Sequence, residues 1–258
     1  MKNLNNYYIA SQTFKTMSKF KYSIVFTFLL FILLSCSSEE DTGIEGDGNV
    51  VSIVKSVETF NRLKIEGVFN VYLNQDKTEK IRIEAEQNII DLIKFHHDGK
   101  TLTIDYDSKH SINKSEDIDL YITIADLKEL DLEIVGHVKT NNALDLSKFL
   151  LINNSVGHVD FSMLSKKFTV INNSVGNVNL FGLVENFTLN NNSLGNVDAF
   201  ELTAEKVSIE NNSVGNVNVN ATYSIEIENN GVGNITFKGH PEKINIENNA
   251  LGKVEEKK

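Results

Sequence analysis

The sequence is poor in the residues that build disulfides, chain kinks and cationic surfaces. Its 258 residues include one cysteine, one proline and no tryptophan. A single cysteine excludes an intramolecular disulfide. Lysine and arginine number 25 against 35 acidic residues, giving a formal net charge of −10. This balance argues against a nucleic-acid partner, because binding to phosphates requires basic stripes.

The N-terminus carries an apolar run that is too short to cross a membrane. Lys19 and Lys21 precede a largely apolar run of 11 residues at positions 24–34, whereas a spanning helix needs about 20. Residues 1–35 are therefore predicted to be a signal peptide, with Met17 as the expected true start.

The cysteine, Cys36, lies where such a signal would be cleaved. Residues 33–36 read Leu-Leu-Ser-Cys and resemble a bacterial lipobox, in which the cysteine is lipidated, for example with palmitate, and becomes the new N-terminus. The alternative is an ordinary secretory signal with an incidental cysteine. Several acyl chains on one residue anchor stably, at about 0.8 kcal/mol per buried CH₂. We therefore expect the membrane to be a partner through Cys36.

The segment after the cysteine is acidic and rich in small residues. Residues 37–41 read Ser-Ser-Glu-Glu-Asp and resemble the export signal that sends some lipoproteins of Gram-negative bacteria to the outer face of the outer membrane. The alternative is that these charges merely begin a linker. Residues 36–50 are predicted to be a flexible tether, and the expected location is the outer membrane, facing the exterior.

Residues 51–126 predict an N-terminal β region that contains a first coil and caps one end of the later array. Residues 60–73 alternate around Gly67, as two strands about a turn do. Within them, residues 68–71 match a later Val-Gly-Asn-Val phrase, with Phe69 at the glycine position.

Two local signals lie within this N-terminal β region. Asp98-Gly99 predicts a β-hairpin. Asn88 is expected to cap a short helix that reaches Ile93, because an asparagine side chain can accept hydrogen bonds from the first-turn amides.

Residues 127–254 form a repeat. The phrase Asn-Asn-Ser-Val-Gly recurs with small changes, and its glycines are 18 to 21 residues apart. These glycines are Gly136, Gly157, Gly176, Gly195, Gly215, Gly233 and Gly252. Apolar residues recur two and four positions before the first asparagine and two and four positions after the glycine, which is a strand period. A fixed period near 20 indicates a stacked array.

The periodicity predicts an all-β fold, a parallel β-solenoid with coils of about 19 residues and a β-rich N-terminal cap. Like residues would then stack at about 4.8 Å per coil. An antiparallel sandwich is the alternative, although it would not need the same residue at the same place in every coil. The charged tail, residues 253–258, is expected to blunt the far end.

The first asparagine of each copy is predicted to point inward and to form a hydrogen-bonded ladder along the axis. These residues are Asn153, Asn172, Asn191, Asn211, Asn229 and Asn248. The second asparagine is expected at positive φ. The glycines are expected where only glycine tolerates the dihedral angles, or where a side chain would block the neighbouring coil. The alternative is a carbohydrate-binding asparagine row.

No catalytic, cofactor or metal site is predicted. Asp160 and Asp198 occupy one outward column two coils apart, near the upper separation for inverting glycosidases, but Asn179 between them favours relief of like-charge stacking. The histidine pair His137 and His158 is interpreted as a surface feature, because a metal needs more ligands. The remaining histidines considered, interpreted in the same way, are His96, His97 and His110.

The chain resembles the head GIN domain family, whose members are called putative autotransporter adhesins. The resemblance rests on residues 60–71, on residues 99–104 and on the recurring glycine of Val-Gly-Asn-Val, and it spans about residues 52–254. It implies a right-handed β-helix without a recognised catalytic set. The family commonly shows Gly-Ser-Gly at the turn, and residues 231–233, Gly-Val-Gly, are the nearest match here.

Three functions are compatible with these features. The first is a non-enzymatic surface lipoprotein for adhesion, with a glycan or protein partner. The second is a carbohydrate-active enzyme or carbohydrate-binding protein, and the third is a periplasmic scaffold or envelope-stress protein. The variable outward residues are expected to form the functional surface in preference to the repeated phrase.

Overall fold

The computed structural model describes residues 43–106 and 112–257. The predicted signal peptide, Cys36, the first part of the tether and His110 lie outside the described residues. The described chain is almost entirely β-structure, with one helix of four residues. Within these ranges, none of the helical structure has the length and apolar character required to span a membrane.

The N-terminal β region contains nine strands and the helix α1. They are β1 (Ile44–Glu45), β2 (Val50–Lys55), β3 (Arg62–Val68), β4 (Asn70–Gln75), β5 (Lys80–Glu86), α1 (Gln87–Ile90), β6 (Ile93–Asp98), β7 (Thr101–Tyr106), β8 (Ile112–Lys114) and β9 (Asp119–Ile124).

The repeat region contains eleven described strands. They are β10 (Glu129–Val135), β11 (Val138–Thr140), β12 (Leu144–Asp145), β13 (Lys148–Asn153), β14 (Val159–Asn172), β15 (Val178–Asn191), β16 (Val197–Asn211), β17 (Val217–Asn229), β18 (Ile235–Lys238), β19 (Lys243–Asn248) and β20 (Val254–Glu256). Each of β14 to β17 supplies the second strand of one coil and the first strand of the next.

Equivalent strands of successive coils pair in parallel and in register, which confirms the β-solenoid and shows that the antiparallel sandwich is wrong. Phe149 pairs with Phe168, and Asn153 pairs with Asn172. The same register continues through β15, β16, β17 and β19, so the first asparagines remain aligned to Asn248. Successive asparagines are 18 to 20 residues apart.

The stack begins with coils that are out of chain order. β10 and β11 pair with β3 and β4, so residues 62–75 form the first coil predicted from the sequence. Val135 pairs with Val68, which places Phe69 at the position of Gly136, as predicted. The strands β7 and β9, later in the chain, then pair with the opposite edges of β3 and β4. Sequence periodicity does not reveal this reversal, because β7 and β9 lack the repeated phrase.

Antiparallel strands cover this end of the stack. β6 pairs with β7, β5 pairs with β9, and β2 pairs with β5. The predicted hairpin is present, but Asp98 pairs with Thr101, so the loop consists of Gly99 and Lys100 rather than Asp98 and Gly99.

The predicted role of Asn88 is wrong. Helix α1 spans only Gln87–Ile90, its N-cap residue is Glu86, and no side chain caps it. The Asn88 amide is used elsewhere: its Oδ1 accepts a hydrogen bond from the Asp47 N–H and its Nδ2 donates to the Glu45 carbonyl. The Asn88 side chain therefore binds the backbone of the segment before β2 and does not cap the helix.

The core consists of apolar columns that run along the axis. Phe149, Phe168 and Phe187 are buried in one column, with neighbouring ring centroids 5.8 and 5.6 Å apart. A fully buried side chain of this size contributes about 1.5–3 kcal/mol. The column ends at Ile244 in the last coil, which is 51% exposed.

The turn glycines are required chiefly by the close approach of neighbouring coils. A Cβ atom added at any of the seven would lie 1.7–2.1 Å from a carbonyl oxygen of the preceding coil. Only three of them, Gly136, Gly157 and Gly176, also have a positive φ of 141–148°. Contact with the neighbouring coil is therefore the reason for glycine that all seven positions share. The backbone dihedral angles are a second reason only at the three earliest positions.

The substitutions Gly195→Ala and Gly99→Ala separate this steric contact from backbone strain. At Gly195 the new methyl group would lie 1.7 Å from the Gly176 carbonyl oxygen, so we expect the free energy of unfolding to fall by about 3 kcal/mol or more. At Gly99 nothing lies within 4 Å but φ is +59°, so we expect a loss of about 1 kcal/mol. Urea unfolding followed by circular dichroism checks both values, and equal losses would contradict the steric account.

Candidate interaction surface

The first asparagines of the repeat form a buried ladder through the turns. The Nδ2 of each donates to the Oδ1 of the next, over distances of 2.9–3.0 Å. Asn153, Asn172, Asn191, Asn211 and Asn229 are fully buried. The last, Asn248, donates to the Gly252 carbonyl instead. The first five amides therefore donate in the same direction along the axis.

A serine column, not recognised from the sequence, completes this ladder. The buried serines are Ser155, Ser174, Ser193 and Ser213. The hydroxyl of each donates to the Oδ1 of the asparagine two residues earlier. The available signal was the spacing, since a residue two positions along a strand shares the inward face. At the next coil Gly231 replaces serine, and its N–H donates to the Asn229 Oδ1.

The first asparagine is replaced by apolar residues toward the N-terminal end. Leu132 pairs with Asn153, Ile65 with Leu132, and Ile104 with Ile65. All three apolar residues are buried. The inward position thus accommodates either an apolar side chain or an asparagine, provided that each asparagine has another asparagine amide as a partner.

The second asparagine of each copy faces solvent, and its predicted positive φ is wrong. Among the described residues other than glycine, His240 alone has a positive φ. The second asparagines instead form an exposed ladder in which the Nδ2 donates to the preceding coil, as from Asn173 to Asn154 at 2.8 Å. Asn192, Asn212 and Asn249 donate in the same way. Stacking rather than dihedral preference explains their recurrence.

The residues after the glycines form a further exposed row. Asn177, Asn196 and Asn216 each accept the backbone N–H of the equivalent residue one coil later, at 2.8–3.0 Å. Earlier in this row the rings of His137 and His158 stack with centroids 5.5 Å apart. The His158 Nδ1 accepts the Asn177 N–H at 3.3 Å, so this pair belongs to the same turn structure.

An exposed apolar row runs between the two polar rows. Its eight members are Val68, Val135, Val156, Val175, Leu194, Val214, Val232 and Leu251. They are 45–91% exposed. We call the three exposed rows together the corner surface: the second asparagines, this apolar row and the residues that follow the glycines. Two of the five residues of the repeated phrase, the second asparagine and the apolar residue before the glycine, therefore face solvent.

Over its central coils the corner surface is uncharged, and its backbone is hydrogen-bonded from coil to coil. The backbone N–H of Val175, Leu194 and Val214 each donates to a serine carbonyl of the preceding coil. Charge enters only toward the ends of the rows, at Glu66, Glu133 and Lys253.

The acidic column on the second strands has the hydrogen bonding expected of a structural column. Asn179 Nδ2 donates to Asp160 Oδ1 at 2.7 Å, which separates that carboxylate from the next one. Asp198 Oδ1 accepts the Phe200 N–H at 3.1 Å.

The described histidines of the N-terminal β region do not form a metal site. The His96 Nε2 atom lies 3.5 Å from Asp105 Oδ1. Over residues 43–106 and 112–257, no three histidine, cysteine, aspartate or glutamate residues are grouped to hold a metal.

A charged patch lies on the outer face near the N-terminal end. On neighbouring strands, Asp131 is aligned with Lys64 on one side and with Ile152 on the other. Its Oδ1 is buried and has no hydrogen-bond partner among the described residues. This burial raises the pKa of Asp131 above its ordinary value, while Lys64 acts in the opposite sense and Glu133 adds a smaller increase.

Sequence comparison identifies the family. The family model described as "Putative auto-transporter adhesin, head GIN domain" matches residues 59–241. The chain belongs to the head GIN domain family. The matched range of this head GIN domain contains β3 to β18 and thus most of the corner surface. No curated protein matches the sequence.

Solved structures share the fold of this head GIN domain. A putative adhesin from Bacteroides fragilis is similar at 27% identity with a TM-score of 0.81, covering 83% of this chain and 100% of that one. A putative adhesin from Parabacteroides merdae matches at 18% identity and 0.62, covering 84% and 99%. A putative lipid binding protein from Parabacteroides distasonis matches at 19% and 0.62, covering 83% and 99%. The last two likenesses show the fold alone.

We expect Asn191→Ala to destabilise the head GIN domain far more than Asn192→Ala. Asn191 accepts from Asn172 and Ser193 and donates to Asn211, all in the buried ladder. Its truncation leaves buried polar groups unpaired, at about 2–4 kcal/mol in total. Asn192 lies in the exposed ladder, where water replaces lost partners and the loss should be about 0.5 kcal/mol or less. Equal losses in chemical unfolding would argue against a special role of the buried row.

The substitution Asp131→Asn tests the buried carboxylate. Because the folded-state pKa is raised, the folded chain binds more protons than the unfolded chain between the ordinary and the raised pKa, and stability falls as pH rises through that window. We expect Asp131→Asn to melt at a higher temperature than the parent at pH 7. The difference should shrink below the ordinary pKa of about 3.9. Glu133→Gln, an exposed neighbour, is the control, and a lower melting temperature of Asp131→Asn at pH 7 would contradict the argument.

Proposed function

We propose that this head GIN domain protein is a non-enzymatic cell-envelope lipoprotein that adheres to a glycan or protein through the corner surface. The observation that carries this proposal is the exposed apolar row between Val68 and Leu251, which is flanked on both sides by polar rows. The family description and the similarity to the Bacteroides fragilis adhesin support an adhesive role without catalysis.

The apolar row is large for a free surface. Eight residues stacked at about 4.8 Å extend over roughly 34 Å. Contiguous apolar patches on soluble proteins commonly mark interaction sites. Because hydrogen bonds between coils hold the turn backbone in place, little conformational entropy would be lost when a partner binds.

The flanking asparagine rows supply the polar contacts that such a partner needs. Each side-chain amide has two N–H donors and two acceptor lone pairs. The ladder from Asn173 to Asn154 uses one donor and one acceptor site. The remaining positions face solvent at a regular spacing, which suits the repeating hydroxyl and amide groups of a glycan or an extended polypeptide. The formal net charge of −10 disfavours a nucleic-acid partner.

The proposed location is the outer membrane, with the solenoid facing the cell exterior. The membrane anchor would be lipidated Cys36, followed by the acidic export segment at residues 37–41. Adhesion requires display on the cell exterior, whereas a periplasmic scaffold would function without such display. No cofactor is required by this function.

The double variant Val175→Thr/Leu194→Thr tests the corner surface in cells. These side chains are 47% and 62% exposed, so threonine should preserve the fold while hydrating the row. We expect adhesion of a deletion strain that carries this variant to fall about tenfold or more, since burial of two such side chains contributes about 1.5–3 kcal/mol each. Cell adhesion and glycan-array binding are the measurements.

The matched control is Leu164→Thr/Leu183→Thr on the second strands. These neighbouring residues are 40% and 59% exposed but lie outside the corner surface. Adhesion should be unchanged in this control. Equal adhesion by both double variants would remove the corner surface from the proposal, and a deletion strain that adheres normally would contradict the adhesive function. Protease shaving of intact cells verifies display, and a chain that survives it intact would contradict the exterior location.

A further inference from the structure

The two ends of the solenoid differ in how their edges are covered. At the N-terminal end, antiparallel β6 and β5 cover the outermost coil. At the other end, β19 pairs with β17 on one side, and no described strand pairs with its outer edge. The charged tail was expected to blunt this end. Val254–Glu256 pairs with Ile235–Phe237 as the second strand of the last coil, so this part of the tail lies at this end but does not cover β19.

The free edge exposes core side chains. All six residues of β19 are exposed, with Ile244 at 51% and Ile246 at 39%. Their equivalents one coil earlier, Ile225 and Ile227, are 2% and 1% exposed. An uncovered strand edge with apolar side chains favours pairing with another strand.

The sequence of β19 is complementary to itself in the antiparallel sense. In a pairing centred on Asn245, Ile244 lies opposite Ile246 of a second copy on the core side. On the outer side, Lys243 lies opposite Glu247 of that copy, and two-fold symmetry repeats both contacts. Residues directly opposite each other in an antiparallel pair lie on the same face, so apolar meets apolar and positive meets negative.

The preceding coil shows that this complementarity is not a general property of the repeat. The outward residues of its first strand are Ser224, Glu226 and Glu228. The same antiparallel arrangement would place Glu226 opposite its own copy, where like charges repel.

We propose that the free edge of β19 binds a second copy of this chain, forming a two-fold, end-to-end dimer with a sheet that continues from one solenoid into the other. The contact buries Ile244 and Ile246 and satisfies the edge backbone groups. One strand edge is small compared with a standard interface, so the dimer depends on protein concentration. This inference does not depend on the adhesive function.

Cross-linking tests the register. Asn245→Cys places two thiols opposite each other across the two-fold axis, at a separation that a disulfide can span. The full chain bearing this substitution, expressed in the envelope of a Gram-negative host and oxidised, should run as a covalent dimer. Glu226→Cys, on the same face one coil earlier, should not, and the parent chain controls for Cys36. Equal cross-linking of the two variants, or none with Asn245→Cys, would overturn the proposal.

Charge reversal tests the pairing without any thiol. We expect Lys243→Glu and Glu247→Lys each to weaken dimerisation about tenfold, because two attractive pairs per dimer become repulsive. The double variant Lys243→Glu/Glu247→Lys should restore dimerisation, because position 243 of one copy and position 247 of the other again carry opposite charges. Sedimentation of the detergent-solubilised full chain over a concentration series measures this. Failure of the double variant to recover dimerisation, or a monomeric parent throughout the series, would contradict the pairing.

Discussion

The close approach of successive coils at the glycines is the constraint on which the rest of the structure depends. At Gly176 and Gly195 the neighbouring backbones are so near that no Cβ fits between them. This contact fixes the register of the turn, and the register in turn aligns the asparagine, serine and valine positions. A register slip of one residue would turn every inward side chain outward. Both the buried ladder and the corner surface are consequences of this backbone contact.

Much of the fold could be predicted because each repeat has the same alternation of inward and outward residues and the same turn. The alternation that includes Leu151 and Asn153 identifies strands, and the fixed period identifies parallel stacking. The correspondence of Phe69 with Gly136 followed from local sequence alone. The positions of β7 and β9 could not be predicted in this way, because their strand pattern does not specify which edge of the first coil they join.

The candidate surface was harder to predict than the ladder. An inward asparagine needs partners, so its burial has a recognisable chemical cause. The outward Val175 and Leu194 look like core residues in sequence, and only the strand parity around Asn172 and Asn191 places them outside. The second asparagine was assigned a dihedral role, although its recurrence reflects hydrogen bonding between coils. Side-chain type alone did not distinguish these causes.

The out-of-order N-terminal coils give the stack a polarity. β7 and β9 pair with one edge of β3 and β4, and β10 and β11 pair with the other edge. Beyond β7 and β9 lie the antiparallel strands β6 and β5, which do not continue the parallel stacking of the coils. The parallel array therefore lengthens in one direction alone, away from the N-terminal β region.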